Sequence, residues 1–335
     1  MARRDIIVIG GSLGSGAVLR KVLPALPADL PASILIVTHV ASVASAYLAE
    51  GLSGSCALPV SVAIDGQPVE PGRIYVAPAD QHMLLLPGVI RLGHGPRENM
   101  ARPAIDPLFR SAALAYASRV IGIVLTGYMN DGAAGLFEIK RRGGLAFVQQ
   151  PGEAEASQMP EAALEAVAVD RIVRTAEMAE ALAEAVREDA PAPPSPPPAD
   201  LELEVRIALG RRLGAQELGR IAEPSALTCP HCFGVLSEIQ KPGPLRYRCQ
   251  TGHAFTAQAV MAAQQDGVDE ALMIALRVME ERVTVVARMG REARQTGRDA
   301  LAELYEARAE EYGRYAETLR QAAIRSLAPI GDAAE

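Results

Sequence analysis

The spacing of apolar residues along this 335-residue chain changes character from one end to the other. In the first half, IIVIG (Ile6–Gly10), ILIVTH (Ile34–His39), VIGIVLTG (Val120–Gly127) and LAFVQQ (Leu145–Gln150) are short, continuously apolar and rich in β-branched residues. Such runs belong to strands buried on both faces, as in a parallel sheet. Gly14–Leu26, Ile105–Ala117 and Gly132–Arg142 read as helices between them. Strand alternating with helix predicts βαβ units and an α/β fold with a doubly wound, mostly parallel sheet. Within Pro59–Leu92, the runs PVSVA, RIYVAP, HMLLL and VIRL are punctuated by Pro71-Gly72 and Pro87-Gly88, which predicts hairpin strands, antiparallel, at one edge. DAPAPPSPPPAD, Asp189–Asp200, carries six of the 24 prolines and reads as a semi-rigid linker, because proline donates no N–H to a helix or sheet. Thr256–Ser326 reads as helix. Leu272, Leu276, Met279, Val283 and Val286 recur at helical spacing, as do Leu301, Tyr305, Tyr312, Tyr315 and Leu319, with Arg308 interrupting the second set. Gly290 and Gly297 flank the expected break of an antiparallel helical hairpin. Its stripes are expected to pack on each other or on the preceding segment, with self-association or partner docking as the alternative. The expected organisation is an α/β domain over 1–188, a linker over 189–200, a connecting segment over 201–227, a cysteine-bearing module over 228–255 and the helical hairpin over 256–327.

Composition narrows the class. Apolar residues make up 49% and charged residues 22%, enough for a sizeable core and incompatible with global disorder. No run approaches the ~20 apolar residues of a membrane span, and the apolar part of MARRDIIVIGG is too short for a signal peptide. A cytoplasmic protein without membrane insertion is expected. The net charge of −7 is spread over both halves, so neither shows the basic surplus of a nucleic-acid binder.

Cysteine is the informative residue. Three of the four cysteines fall in Cys229-x2-Cys232, sixteen residues, then Cys249-x3-His253. Two thiolates on one knuckle and a second knuckle across a hairpin match the ligand set of tetrahedral zinc. The intervening FGVLSEIQKPGPLRYR has Pro-Gly-Pro between two strand-like runs, which predicts a small zinc ribbon with a structural ion. His231 lies inside the first knuckle, and four ligands leave no open position for catalysis. Lys241, Arg246 and Arg248 are few and lack an aromatic series, so the ribbon is not read as a nucleic-acid site.

Ligands of open α/β sheets bind outside the carboxyl ends of the strands. Ser12 follows the first strand inside GGSLGSG, His39 ends the second, and Asp131 lies just past Val120–Leu125 in LTGYMNDGAAGL. A serine hydroxyl needs a base to become a nucleophile, and that imidazole needs a carboxylate to fix its tautomer. Each residue also has a plainer reading: Ser12 as a helix cap, His39 as a packed strand end, Asp131-Gly132 as a turn. A dinucleotide site fits less well, since Ser12 stands where G-x-G-x-x-G needs its second glycine and the second strand ends in His39 rather than an acid.

IIVIGGSLGSG, ILIVTHV, IDGQPVEPGRIYVAPADQHMLLL, RPAIDPLFRSAA, VIGIVLTGYMNDGAAGL and QMPEAAL run in the order of one family, and the first ~190 residues resemble the catalytic domain of the bacterial chemotaxis protein-glutamate methylesterase, CheB. The resemblance implies hydrolysis of glutamyl γ-methyl esters on methyl-accepting receptor helices, often with deamidation of receptor glutamines, and no cofactor for catalysis. It assigns Ser12 as nucleophile, His39 as base, Asp131 as orienting acid, and the backbone N–H groups of Leu13 and Tyr128 to the oxyanion. Several flanks depart from the family pattern: Leu13 replaces Thr, Gly127-Tyr128-Met129 replaces Gly-Met-Gly, Pro103-Ala104-Ile105-Asp106 replaces Pro-Ser-Val-Asp, and Gln158-Met159-Pro160 replaces Gly-Met-Pro. The first strand starts at Ile6, so the form expected is one without the family's receiver domain, followed by a zinc-ribbon-like extension. The alternative is an esterase-like scaffold, catalytically weakened, that binds receptor or signalling proteins through its zinc and helical parts.

Overall fold

The computed structural model describes residues 2–39, 44–194, 196–212, 214–240 and 242–326. Lys241 of the sequence reading lies outside them. The first strands are β1 (Ile6–Gly11), β2 (Ser33–Thr38), β3 (Val60–Val62) and β4 (Ile74–Val76), followed by the pair β5 (His82–Leu86) and β6 (Val89–Gly93). β7 (Val120–Val124), β8 (Leu145–Gln149) and β9 (Arg171–Val173) complete the α/β part. Seven of them form one parallel sheet in the order β3-β4-β2-β1-β7-β8-β9. The continuous apolar runs have the cause inferred from their pattern. Ile7 and Ile9 of β1 enter a core with Leu19, Leu23 and Leu182, whereas Ile6 and Val8 enter the opposite core with Ile105, Phe109 and Leu136. A strand between two helical layers has no wet face, and burying each such side chain stabilises the fold by roughly 1.5–3 kcal/mol.

Two features differ from the pattern reading. PVSVA and RIYVAP supply parallel strands of the main sheet, and only β5 and β6 form an antiparallel hairpin. Residues 63–73 detour along β6, where Gly66 N donates to Ile90 O and Val69 N to Gly88 O. That excursion is long enough to return the chain in the same direction, which a two-residue turn cannot do. The proline-rich segment is also more than a spacer. Its carbonyls at Asp189 and Pro191 accept hydrogen bonds from Arg4 (2.9 Å) and Ser118 Oγ (2.6 Å), and Pro194 O accepts one from Arg142. Carbonyls are the one hydrogen-bonding group proline retains, and here they fasten the strap to the α/β body.

After the strap, helix Ala199–Ala208 buries Leu201, Val205 and Ala208, the last two beside Leu84 of β5. An antiparallel sheet follows: β10 (Ala222–Thr228), β11 (Val235–Ile239), β12 (Arg246–Cys249) and β13 (Ala254–Thr256). Its first strand falls in the segment that the pattern left as a connection. Met1–Val260 forms one compact unit. Inside it, Arg110, Arg246 and Arg248 meet Glu98 and Glu204, all buried. Arg246 grips Glu204 at 2.8 and 3.1 Å, Arg248 reaches Glu98 at 3.1 Å, and Arg110 pairs with Glu98 and, at 3.2 Å, with Glu204.

Met261–Glu335 forms the second unit. Its helices are the remainder of Ala257–Gln295, and Asp299–Ser326. They run antiparallel, with Arg294 paired to Glu306 beside the turn and Gln265 bonded to Ser326 at the far end. The break falls at 296–298, so Gly290 lies within the helix rather than at its end. Leu276 is buried on the inner face, while Tyr315 is exposed and donates its hydroxyl to Glu311, leaving the predicted stripe. Among the described residues no helix is long and apolar enough to cross a membrane.

Burial alone would push the Glu204 carboxyl up, but Arg246, Arg110 and Arg248 overcome it and hold the group far below the ordinary carboxylate range. The unfolded chain binds a proton at Glu204 below pH ~4.5 that the folded chain does not. This contribution to stability is therefore present above pH ~4.5 and lost as the pH falls. Glu204→Gln leaves three guanidiniums around one carboxylate and is expected to cost about 3–5 kcal/mol in urea denaturation at pH 7. Removal of the exposed Arg171–Glu184 pair by Arg171→Ala is expected to cost under about 1 kcal/mol in the same assay.

Candidate active site and Cys/His cluster

The sheet order reverses between β1 and β7, so the crevice at their carboxyl ends is where this topology places a ligand. Ser12 leaves β1 there. Its N–H donates to Thr126 O at 2.9 Å beyond β7, and its carbonyl accepts from Ser15 Oγ at 2.6 Å. Thr126 Oγ1 donates to Leu13 O, so the turn is held on both sides. Two glycines make it possible. Gly14 has φ 79°, in the left-handed region, and a Cβ there would lie 2.6 Å from the Glu155 carboxylate. A Cβ on Gly127 would stand 2.7 Å from Ser12 Cβ and 2.1 Å from Met159 Sδ. Ser12 lines a cleft of about 500 Å³ together with Leu13, Arg20, His39 and Glu155. Among the described residues, Ser12 Oγ and the N–H groups of Leu13 and Tyr128 have no protein hydrogen-bond partner. They are the groups left free to meet a ligand.

His39 follows β2 and is fixed at the backbone by its N–H to Gly11 O at 3.2 Å. Its Nε2 lies 2.8 Å from Asp131 Oδ2. With Nε2 on the carboxylate, Nδ1 is the nitrogen left for the cleft. Asp131 is 2% exposed, and its carboxylate is saturated. Oδ2 also accepts from Ile105 N–H at 2.6 Å, and Oδ1 accepts from Asn99 Nδ2 at 2.9 Å and from Gly132 N–H at 3.1 Å. Burial would raise the acid, but His39, the Ile105 N–H and Asn99 outweigh it and hold it below the ordinary range. The structure thus brings Ser12 and His39 to one cleft, with Asp131 bonded behind the imidazole. Leu13 and Tyr128 are exposed beside it.

Pattern reading missed two buried groups here. Asp106 accepts from Gly132 N–H at 3.1 Å and Gly135 N–H at 2.6 Å, while Asn99 Nδ2 bridges to Asp106 Oδ2 at 3.1 Å. Burial, then the charge of Asp131, pushes the Asp106 carboxyl up to about 7. The run RPAID held Asp106 in view, but a lone acid at a helix start reads as a cap.

The second predicted site also comes together. Cys229 follows β10, Cys249 ends β12, His253 precedes β13, and Cys232 closes the knuckle. The four ligand atoms lie within 4.8 Å of one another. Cys229 Sγ and Cys249 Sγ stand 3.8 and 3.5 Å from His253 Nδ1, and Cys232 Sγ stands 3.7 Å from Cys249 Sγ. Thiolates and an imidazole about 2.0–2.3 Å from one tetrahedral ion are roughly 3.3–3.8 Å apart, so the donor set and these three distances are compatible with zinc. His231 stacks on His253 at 4.4 Å and is not one of the four.

A model of the CheB methylesterase family matches residues 7–182. This chain belongs to the CheB methylesterase family. A protein-glutamate methylesterase/protein-glutamine glutaminase of Anaeromyxobacter dehalogenans is 41% identical over 186 residues, which are 56% of this chain and 54% of that protein. A putative protein of the same name from Leptospira interrogans is 37% identical over 177 residues, 52% of this chain and 92% of that one. The crystal structure of the Thermotoga maritima CheB methylesterase catalytic domain matches with a TM-score of 0.53 and 32% identity, over 55% of this chain and 99% of the other. The chain therefore spans about half the length of the Anaeromyxobacter relative. Ser12, His39 and Asp131 lie within the family match, and the Cys/His cluster and the helical pair lie outside it.

Because Asp106 is held at about 7 in the folded chain and near 3.8 when unfolded, the folded state carries an extra proton between those values. Stability contributed by this group is present at the acidic end of that window and is lost as the pH rises through it. Relative to Asp106→Asn, the parent chain is expected to lose on the order of 2 kcal/mol of unfolding free energy between pH 5 and pH 8, read by urea denaturation.

Proposed function

We propose that this chain hydrolyses the γ-methyl esters of glutamate side chains on methyl-accepting receptor helices, as the names of its relatives suggest, with deamidation of receptor glutamines as a companion activity. The observation that carries the reading is the hydrogen bond of His39 Nε2 with the buried Asp131 Oδ2, set beside a cleft that Ser12 also lines. Ser12 Oγ attacks the ester carbonyl while His39 Nδ1 takes its proton. The backbone N–H groups of Leu13 and Tyr128 receive the developing oxyanion. The imidazolium returns the proton to the departing methoxide, releasing methanol. A water, deprotonated by the same imidazole, then cleaves the acyl-enzyme to free glutamate and Ser12. Asp131 stays a carboxylate throughout, which its donors favour.

Cys229, Cys232, Cys249 and His253 would hold a zinc ion, which would supply folding energy to the four-stranded sheet. The enzyme is proposed to act in the cytoplasm on a protein substrate, with no nucleic-acid partner, and its helical pair is the surface available for self-association. Ser12→Ala is expected to lower methanol release from methylated receptor at least about a thousand-fold while leaving the unfolding transition in place. Release at the parent rate in that variant would refute the mechanism. Elemental analysis is expected to find about one zinc per chain, and a full-length protein equally stable after exhaustive chelation would refute the metal site.

A further inference from the structure

Asn99 is where the Cys/His-bearing sheet reaches the triad. It is buried and sits at φ 48°, a left-handed conformation that asparagine tolerates better than most side chains. Its Nδ2 donates to Asp131 Oδ1, while its Oδ1 accepts from Thr256 N–H at 3.0 Å and its own N–H donates to Ala254 O at 2.8 Å. Both of those partners belong to β13, which begins one residue after His253. Ala254 N–H in turn donates to Arg97 O, so the chain around Glu98 runs beside β13 as a short parallel pairing. A second tie runs in parallel. Thr256 Oγ1 donates to Asn130 Oδ1 at 2.6 Å, and Asn130 Nδ2 donates to Gln258 Oε1 at 2.7 Å, one residue before Asp131.

The other donors to Asp131 are His39 and the backbone N–H groups of Ile105, Asp106 and Gly132, all from the α/β part. Asn99 alone among the described donors is a side-chain amide. An amide can turn away, here towards Asp106, unless its oxygen and backbone are held, and β13 holds both. We propose that Asn99 is a positioning residue for Asp131, kept in place by β13, so that the integrity of the Cys229/Cys232/Cys249/His253 cluster is transmitted to the triad. When the cluster opens, as when a chelator removes a bound ion, Ala254 and Thr256 lose their anchor at His253. Asn99 then loses two partners, Asp131 loses a donor, and the carboxylate that orients His39 is no longer held in one pose.

The inference rests on the triad proposed above, and the test separates the two. The full chain, its Asn99→Ala variant and chelator-treated samples of each are compared by the low-field NMR signal of the imidazole N–H bonded to Asp131, and by kcat and KM for methanol release. Asn99→Ala is expected to unfold cooperatively, to shift or broaden the imidazole signal, and to lower kcat about 10- to 100-fold with KM changed less than about threefold. Chelation of the parent chain changes the signal and kcat in the same direction, and its losses add less than in full to those of Asn99→Ala, because part of its effect passes through the Asn99 amide. An unchanged signal and kcat in Asn99→Ala overturns the proposal, as do chelation losses that add in full to those of the variant. If chelation unfolds the chain, the comparison of Asn99→Ala with the parent decides alone. A parent chain with the imidazole signal but no methanol release overturns the esterase reading, and the signal comparison then decides the present one.

Discussion

Five buried charges have to be satisfied together in the first unit. Arg110 comes from the helix under the parallel sheet, Glu98 from the loop before it, Glu204 from the helix after the proline strap, and Arg246 and Arg248 from the small antiparallel sheet. Taking any of these groups out of water alone would cost several kcal/mol, so each is stabilised in place by charges that distant segments supply. This requirement explains why segments on either side of a proline-rich strap form one body. It also explains why the strap is pinned through its carbonyls instead of swinging free.

The cluster and the candidate site are neighbours in the chain. Glu98 joins the charges, and the next residue, Asn99, turns its amide to Asp131. Rigidity is concentrated behind the imidazole, where Asp131 has five hydrogen-bond contacts counted over both oxygens. On the other side, Ser12 Oγ and the N–H groups of Leu13 and Tyr128 have no protein partner among the described residues. A carboxylate fixed in advance stabilises an imidazolium without reorganising, whereas donors left open keep their capacity for the charge that develops on the substrate.

Much of this was legible from residues alone. β1, β2, β7 and β8 announced themselves because strands buried on two faces must be apolar at every position. Ser12, His39 and Asp131 were legible because parallel topology gathers strand ends at one edge. The Cys/His spacing survived translation into geometry because each pair sits on one short turn of chain, a local structure. Less was legible where length or partners decide. β9 and β10 carry too little periodicity to stand out: Arg171–Val173 is three residues long, and Ala222–Thr228 exposes most of its side chains. Asn99 and Asp106 were invisible as site residues, since nothing in HGPRENMARPAID says which distant groups will face them.

What the chain determines by sequence is therefore its set of local devices: apolar strands, glycine turns that permit close approach, a four-ligand knuckle pair and an α-helical pair. Tertiary structure decided which devices meet. Thr256 lies 157 residues from Asn99, yet it holds the amide that holds Asp131. Hydrogen bonds and buried charge pairs act over about 3 Å, so their consequences follow from folded proximity, and proximity between distant segments is not written in the period of either one.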